Sequence, residues 1–382
     1  MIICFVLFLS AYGKNQKPES LAKVEVIDGI EFVHNSGTPM YPNKTVTFVE
    51  DLSISSEDKD GNILFVRPTL SLVDDDENIY ITDYQDQDIK IFDPRGKLIK
   101  TIGAKGDGPG EFRGILSVAV TEGGGLVVLD GAARRTSFFD SSGQFLRSFK
   151  WRMGYHNYIM IKSSSYVVGE RAYSGIIENG YFYVKEIDFD GNEVRSYGEF
   201  TMGESLIVRQ GTSTTFSGLP VTISSILKGD QDREMLYHCL SNKYMIEVYD
   251  TSGKLFRKID RPYKPVPFTK IDVEGFLERH KTSPEPLKKA AEALKMPKVK
   301  NIVVRMYVDD KSNLWVRTNE KKVDEEDKIL TAFDIFNPDG HYYAKVWTEF
   351  TSLVFKKGKL YVMATDELTG YQTLKRYKVV WN

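Results

Sequence analysis

The stretch IKIFDPRGKLIKTIG (residues 89–103) joins two apolar runs through Asp93, Pro94, Arg95 and Gly96. The same arrangement returns as SFFDSSGQFLRSF (137–149), VKEIDFDGNEVRSYG (184–198), MIEVYDTSGKLFRKI (245–259) and AFDIFNPDGHYYAKV (332–346). In each copy an Asp or Asn opens the turn by accepting backbone hydrogen bonds, and a Gly closes it three residues later. Pro94 and Pro338 preset the second position. Turns of this kind join antiparallel strands. The closing glycines, Gly96, Gly143, Gly191, Gly253 and Gly340, stand 47, 48, 62 and 87 residues apart. Steps near 40–50 residues are the length of a four-stranded propeller blade, and the two longer steps mark insertions.

A second repeat supports the first. Residues 73–80 (VDDDENIY) and 308–315 (VDDKSNLW) share the pattern V-D-D-x-x-N-[IL]-[YW]. Each precedes an Asp/Asn–Gly turn within one blade length and reads as the hairpin between a blade's first two strands. Blades are therefore expected at 66–102, 112–149, 156–199, 217–260 and 301–347. Residues 350–382 supply three more strands. The run VEVIDGIEFV (24–33) is expected to complete that sixth blade, a closure that leaves no open sheet edge. The expected fold class is all-β: a six-bladed β-propeller with an N-terminal strand closing the last blade and a small helical insertion. The insertion is placed at 267–298, where Asp272–His280 and Pro286–Met296 are rich in helix formers.

Composition agrees with this fold and narrows function. Apolar residues make up 41% of 382, with 21 Tyr and 22 Phe, enough for a core rich in strands. Lys and Arg (51) balance Asp and Glu (53), so no basic excess exists for a nucleic-acid backbone. Ile2–Leu9 is an apolar run of eight, too short to span a bilayer and suited to a signal peptide ending near Ala11 and Gly13. Residues 1–13 are thus expected to be a signal peptide, 14–23 a linker and 24–382 the propeller. Leu9-Ser10-Ala11 opens like a lipobox, but Tyr12 stands where the lipidated Cys belongs. Export to the periplasm or cell envelope, as a monomer without a transmembrane span, is the expectation. Of the two cysteines, Cys239 lies in an apolar run and reads as a buried small hydrophobe.

The residues 83–112, DYQDQDIKIFDPRGKLIKTIGAKGDGPGEF, resemble NHL-type repeats. The match centres on Ile102-Gly103, Gly106 and Gly108-Pro109-Gly110-Glu111-Phe112. More narrowly the chain resembles the exported six-bladed propellers common in Bacteroidetes, related to NHL-like and TolB-like propellers. That resemblance implies export and a propeller, and it names no ligand.

Function in such a scaffold belongs to loops. Inter-blade loops (103–114, 150–157, 199–217, 261–301, 347–351) and middle-strand loops (83–88, 130–136, 170–181, 240–244, 318–330, 365–371) fall on one face around the channel mouth. There Arg113, Arg134, Arg135, Arg171 and Arg209 offer guanidinium groups to carboxylates or sulfates. Trp151, His156 and Tyr173 offer rings for stacking on a sugar or peptide. The loop GAKGDGPGEF lacks the order of a phosphate-binding loop and reads instead as a tight crossover, with Phe112 plugged between blades. No metal site or cofactor is expected, since the five histidines are scattered and neither SEDKDGN (56–62) nor DDDEN (74–78) completes a calcium loop. A non-catalytic envelope binding or scaffold protein recognising a glycan, peptide or envelope protein is the favoured function. The alternative is a hydrolase or lyase acting on a polysaccharide or peptide, with Asp107, Glu111, Glu170 and Asp366 as the carboxylates at the channel mouth.

Overall fold

The computed structural model describes residues 22–382, apart from 59, 152–153, 163–164, 172–178, 211–212, 231 and 367–369. Three strands lead in: β1 (Lys23–Ile27), β2 (Ile30–His34) and β3 (Val46–Ser55). Blade one holds β4 (Pro68–Val73), β5 (Ile79–Asp83), β6 (Asp88–Phe92) and β7 (Leu98–Ile102). Blade two holds β8 (Ile115–Val120), β9 (Leu126–Asp130), β10 (Arg135–Phe139) and β11 (Phe145–Lys150). Blade three has five strands, β12 (Gly154–Ile161), β13 (Ser165–Arg171), β14 (Asn179–Asp188), β15 (Glu193–Gln210) and β16 (Ser213–Gly218). Blade four runs β17 (Ser225–Asp230), β18 (Met235–Leu240), β19 (Met245–Tyr249) and β20 (Leu255–Asp260). Two helices follow, α1 (Lys270–His280) and α2 (Glu285–Glu292). Blade five is β21 (Val303–Val308), β22 (Leu314–Val323), β23 (Ile329–Phe336) and β24 (Tyr342–Thr348). Blade six is β25 (Val354–Lys356), β26 (Lys359–Thr365) and β27 (Gln372–Trp381), with β3 as its fourth strand.

The molecule is a six-bladed β-propeller. The leading strands of the blades approach one another around the axis, β4 against β8, β8 against β12, β12 against β17, β17 against β21, and β25 against β4. Among the described residues the core is divided rather than central. Six apolar clusters fill the six gaps between neighbouring blades. This explains why middle strands such as β5, β6 and β9 are buried along their whole length, covered on both faces.

The repeated turns have one geometry. Asp93 Oδ1 accepts from the amides of Arg95 and Lys97, both at 2.9 Å, and the Gly96 amide donates to the Asp93 carbonyl at 2.9 Å. Gly96 has φ +83°, the left-handed region that glycine enters freely. In the second repeat the closing aromatic residue has its own role. Tyr80 Oη donates to Asp74 Oδ2 and Trp315 Nε1 to Asp309 Oδ2, both at 3.0 Å. The turn carboxylate thus fixes a large ring between blades.

Ring closure differs from the expected pairing. Residues 24–33 do not join the last blade. Asp28 (φ +51°) and Gly29 (φ +77°) make a two-residue turn, so the run folds back on itself as the β1–β2 hairpin. An Asp-Gly pair between alternating strands is a strong hairpin signal. The strand β2 then lies parallel to β20 and extends blade four outward. Closure falls to β3, ten residues long, which runs antiparallel to the equally long β27 from Val46↔Trp381 to Ser55↔Thr373.

The helical insertion is locked at both ends. Thr269 caps α1 in a capping box with Asp272. The Phe268 amide donates to the Lys298 carbonyl at 3.0 Å, and the Lys300 amide to that of Val266 at 2.8 Å. Phe276, His280, Leu287 and Ala291 are buried beneath the helices.

Candidate functional site

Of the sequence-chosen residues, Arg113, Arg134, Arg135 and Trp151 have described side chains. His156, Arg171 and Arg209 lie in strands whose side chains at those positions fall outside the described set, and Tyr173 lies outside the described residues. Arg113 is positioned from below: Asp130, fully buried at the end of β9, accepts from the amides of Arg113 (2.9 Å), Gly114 (3.0 Å) and Ala133 (3.0 Å). The exposed guanidinium of Arg113 pairs with Asp107 (Nη2 to Oδ2, 2.6 Å), which holds the Asp107 carboxyl below its usual range. Arg135 reaches across the glycine-rich loop and donates to the carbonyls of Asp107 (3.2 Å) and Glu111. Both arginines therefore brace the crossover. Arg134 is exposed, with φ +52°, and has no ion pair among the described residues.

Trp151 is moved from the rim to the core. Its ring is 7% exposed in the cluster between blades two and three, and its indole N–H donates to Thr136 Oγ1 at 2.9 Å. The backbone explains the move: the Trp151 amide continues the ladder to the Arg134 carbonyl at 2.9 Å, which turns the ring inward. Phe112 does plug the gap between blades one and two, with no exposed surface. Gly103 lies against its ring so closely that a Cβ there would collide with it.

Two of the carboxylates considered for catalysis are engaged inside the crossover loop. Glu111 Oε2 accepts from the Gly108 amide at 2.7 Å, within its own loop, and Asp107 is held by Arg113. The Glu170 side chain falls outside the described set. The Asp366 amide donates to the Tyr371 carbonyl at 2.8 Å, beside a turn on blade six. His238 has both ring nitrogens engaged, Nδ1 with Glu247 (3.0 Å) and Nε2 with Ser225 (3.1 Å). Cys239 is fully buried, and burial pushes its thiol up to about 12.

Elsewhere on the loop face, a groove of about 330 Å³ lies between α1, the link from β16 to β17, and the extended end of β22. That volume falls at the small end of the ligand-site range. Pro220 and Val221 form one wall, Phe268, Ile271 and Gly275 another, and Asn301, Asn319 and Lys321 the third. Three contacts hold the walls together. Ser217 Oγ meets His280 Nε2 at 2.8 Å, Asn301 Nδ2 donates to the Thr222 carbonyl at 3.1 Å, and Asn319 Nδ2 donates to the Asn301 carbonyl at 2.7 Å.

The groove is electropositive. Arg279, Lys300 and Lys321 line it against one acid, Asp272. Lys300 is bound to that acid at 2.6 Å. Burial raises the Asp272 carboxyl, but the Lys300 and Thr269 hydrogen bonds outweigh it and hold the group at about 2. Arg279 lies 5.8 Å from the Phe276 ring, and neither Arg279 nor Lys321 has an anionic partner among the described residues. Ile271 leaves 78% of its surface exposed at the lip. The lining thus combines two uncommitted cations, amides and an apolar edge, a set that suits a polar ligand carrying negative charge.

None of these groove residues was among the sequence candidates. Two signals pointed near them: the long 62- and 87-residue steps between turn glycines, and the excess of Lys and Arg over Asp and Glu in residues 264–300.

Residues 68–220 match the family DUF5128, described as a 6-bladed beta-propeller. No curated protein matches the chain. Among solved structures, a Bacteroides fragilis protein described as exported is 11% identical, with 90% of this chain and 99% of that one covered and a TM-score of 0.52. A DUF4221 family member from Bacteroides vulgatus is 10% identical, with coverage of 88% and 98% and a TM-score of 0.51. A virginiamycin B lyase from Staphylococcus aureus, 9% identical with coverage of 88% and 99% and a TM-score of 0.39, is too distant to bear on chemistry. The shared property is the fold.

Proposed function

We propose that this chain is an exported, non-catalytic binding propeller of the cell envelope that takes an anionic glycan or peptide in the loop-face groove under α1. The observation that carries this is the pair Arg279 and Lys321, which face one groove without anionic partners among the described residues. Guanidinium and ammonium groups left unpaired in a concave, half-apolar site bind carboxylate or sulfate more strongly than they would on an open surface. Phe268 and Ile271 add apolar area for the body of a sugar ring or side chain. Of the carboxylates weighed for catalysis, Asp107 and Glu111 are held by their own loop, and this favours binding over hydrolysis.

Export is supported by the apolar run Ile2–Leu9. The Bacteroides fragilis protein of like fold is also described as exported. No described helix is long and apolar enough to cross a membrane.

The test is a screen of the purified chain against acidic and neutral glycans and peptides, repeated with Arg279→Ala/Lys321→Ala. Charge-assisted contacts are worth roughly 1.5–3 kcal/mol each, so the double variant should bind at least about tenfold more weakly. Binding that survives in the double variant but is lost in Arg134→Ala would move the site to blades one and two.

A further inference from the structure

Ser225, His238 and Glu247 stand on three consecutive strands of blade four and are joined end to end. Across the ladder, Leu227 of β17 lies opposite His238 of β18, and His238 lies opposite Glu247 of β19. Ser225 precedes Leu227 by two residues, so all three side chains share one face of the sheet. Ser225 Oγ meets His238 Nε2 at 3.1 Å, and His238 Nδ1 meets Glu247 Oε2 at 3.0 Å. The diagonal step from β17 to β18 is within reach of a side chain as long as His. Hydroxyl, imidazole and carboxylate in this order are the parts of an activated nucleophile: a base beside the hydroxyl, and a third group that orients the base.

The proton positions follow from the partners. A carboxylate only accepts, so Nδ1 carries the ring proton, and Nε2 of the neutral ring accepts from the Ser225 hydroxyl. The acid is itself held: Glu247 also accepts from Lys258 Nζ at 3.0 Å and from Tyr249 Oη at 3.3 Å. The ring is held too. Phe200 of blade three meets it edge-on with centroids 4.7 Å apart, and His238 is buried. Ser225 is the outer member of the three. It is partly exposed and is the first residue of β17, after the link whose Pro220 and Val221 wall the groove. The strand β17 packs between β12 and β21 around the axis, so Ser225 stands at the loop-face end of an axial strand.

We propose that Ser225 is a covalent acyl-acceptor site, with His238 as its base and Glu247 as the group that positions the base. The donor is an activated ester. Ser225 Oγ bonds to the acyl carbon, and the bond from that carbon to the leaving oxygen breaks. The hydroxyl proton passes to His238 Nε2 and from there to the departing alkoxide. The products are an acylated Ser225 and an alcohol. This is capture of one acyl group per chain, at a site that does not depend on ligand binding in the groove.

An alkyl fluorophosphonate is the probe. Its phosphorus stands in for the acyl carbon, fluoride is the leaving group, and the serine adduct persists. The intact mass of the full chain against time reads the rate, and peptide mass mapping reads the residue. Wild type should take up the phosphonyl group on Ser225, and Ser225→Ala should lose that label. His238→Gln should slow labelling roughly 100-fold, the scale of a lost general base. Glu247→Gln should slow it at least about tenfold, because an amide no longer fixes the tautomer, and Glu247→Asp should recover part of the rate. Arg279→Ala/Lys321→Ala should label like wild type, so failure of the groove reading leaves this test standing. Melting curves check that each variant is folded, and the Glu247 pair decides alone if His238→Gln does not fold. No label on Ser225, or an unchanged rate in folded His238→Gln or Glu247→Gln, overturns the proposal.

Discussion

Phe112 shows what a single residue can reveal before any coordinates are seen. Glycines at 103, 106, 108 and 110 admit a tight crossover, and the one large apolar side chain that follows has to go somewhere dry; it fills the gap between blades one and two. Trp151 shows the opposite. Its neighbours in sequence do not say that its amide will extend the ladder and aim the ring inward. Nor could the sequence say that Arg135 would be used up on carbonyls 24 and 28 residues away. At this scale Glu247 yields a prediction. The His238 hydrogen bond comes first in holding its carboxyl down to about 2; burial opposes it, and Lys258 at 3.0 Å adds to it. Because the folded group titrates below its ordinary 4.5, its contribution is complete above about pH 4.5 and is lost as pH falls towards about 2. The shift corresponds to at most about 3 kcal/mol. Denaturant unfolding at about pH 6 and about pH 3 should show wild type losing more stability than Glu247→Gln across that interval. Equal losses would mean that Glu247 is not held as described.

Strands and turns were the most legible level. The Asp/Asn–Gly turns fixed five blades because each turn is a local hydrogen-bonding device that needs no distant partner. Closure is not local, and there the expectation went to the wrong strand. Asp28-Gly29 already marked 24–33 as a hairpin, whereas β3 (VTFVEDLSIS) alternates poorly and shows its pairing only against β27. Truncation separates the two roles. A chain starting at Asn35 loses only the hairpin on the edge of blade four, and it keeps the Asn35 contacts to the Gly340 carbonyl (3.0 Å) and Tyr342 amide (2.7 Å). It should melt cooperatively, a few degrees below the full chain (roughly 1–2 kcal/mol). A chain starting at Ser56 lacks β3 and exposes the edge of β27 along its length. It should aggregate or melt without a sharp transition in calorimetry. If the two truncations behave alike, β3 is not the closing strand.

At the scale of the whole molecule, the ring gathers segments that are far apart in sequence. Residues near 220, 270, 300 and 320 meet in one groove because blade three ends in the β15–β16 extension, blade four ends in a helical insertion, and β22 runs past the end of its blade. The loop assignment put all of these on one face, yet it could not say which of them would touch. That depends on the rotation of each blade and on how α1 settles, anchored by His280 on Ser217. The rim arginines at 113, 134 and 135 belong to blades one and two, where the crossover loop occupies two of the three. The groove and that rim are thus two competing places for a ligand on one face. Amide hydrogen exchange of the full chain, with and without a ligand from the glycan and peptide screen, distinguishes them. Slowed exchange in 268–280, 300–301 and 319–321 is the predicted result; slowing confined to 103–113 and 130–135 would contradict it.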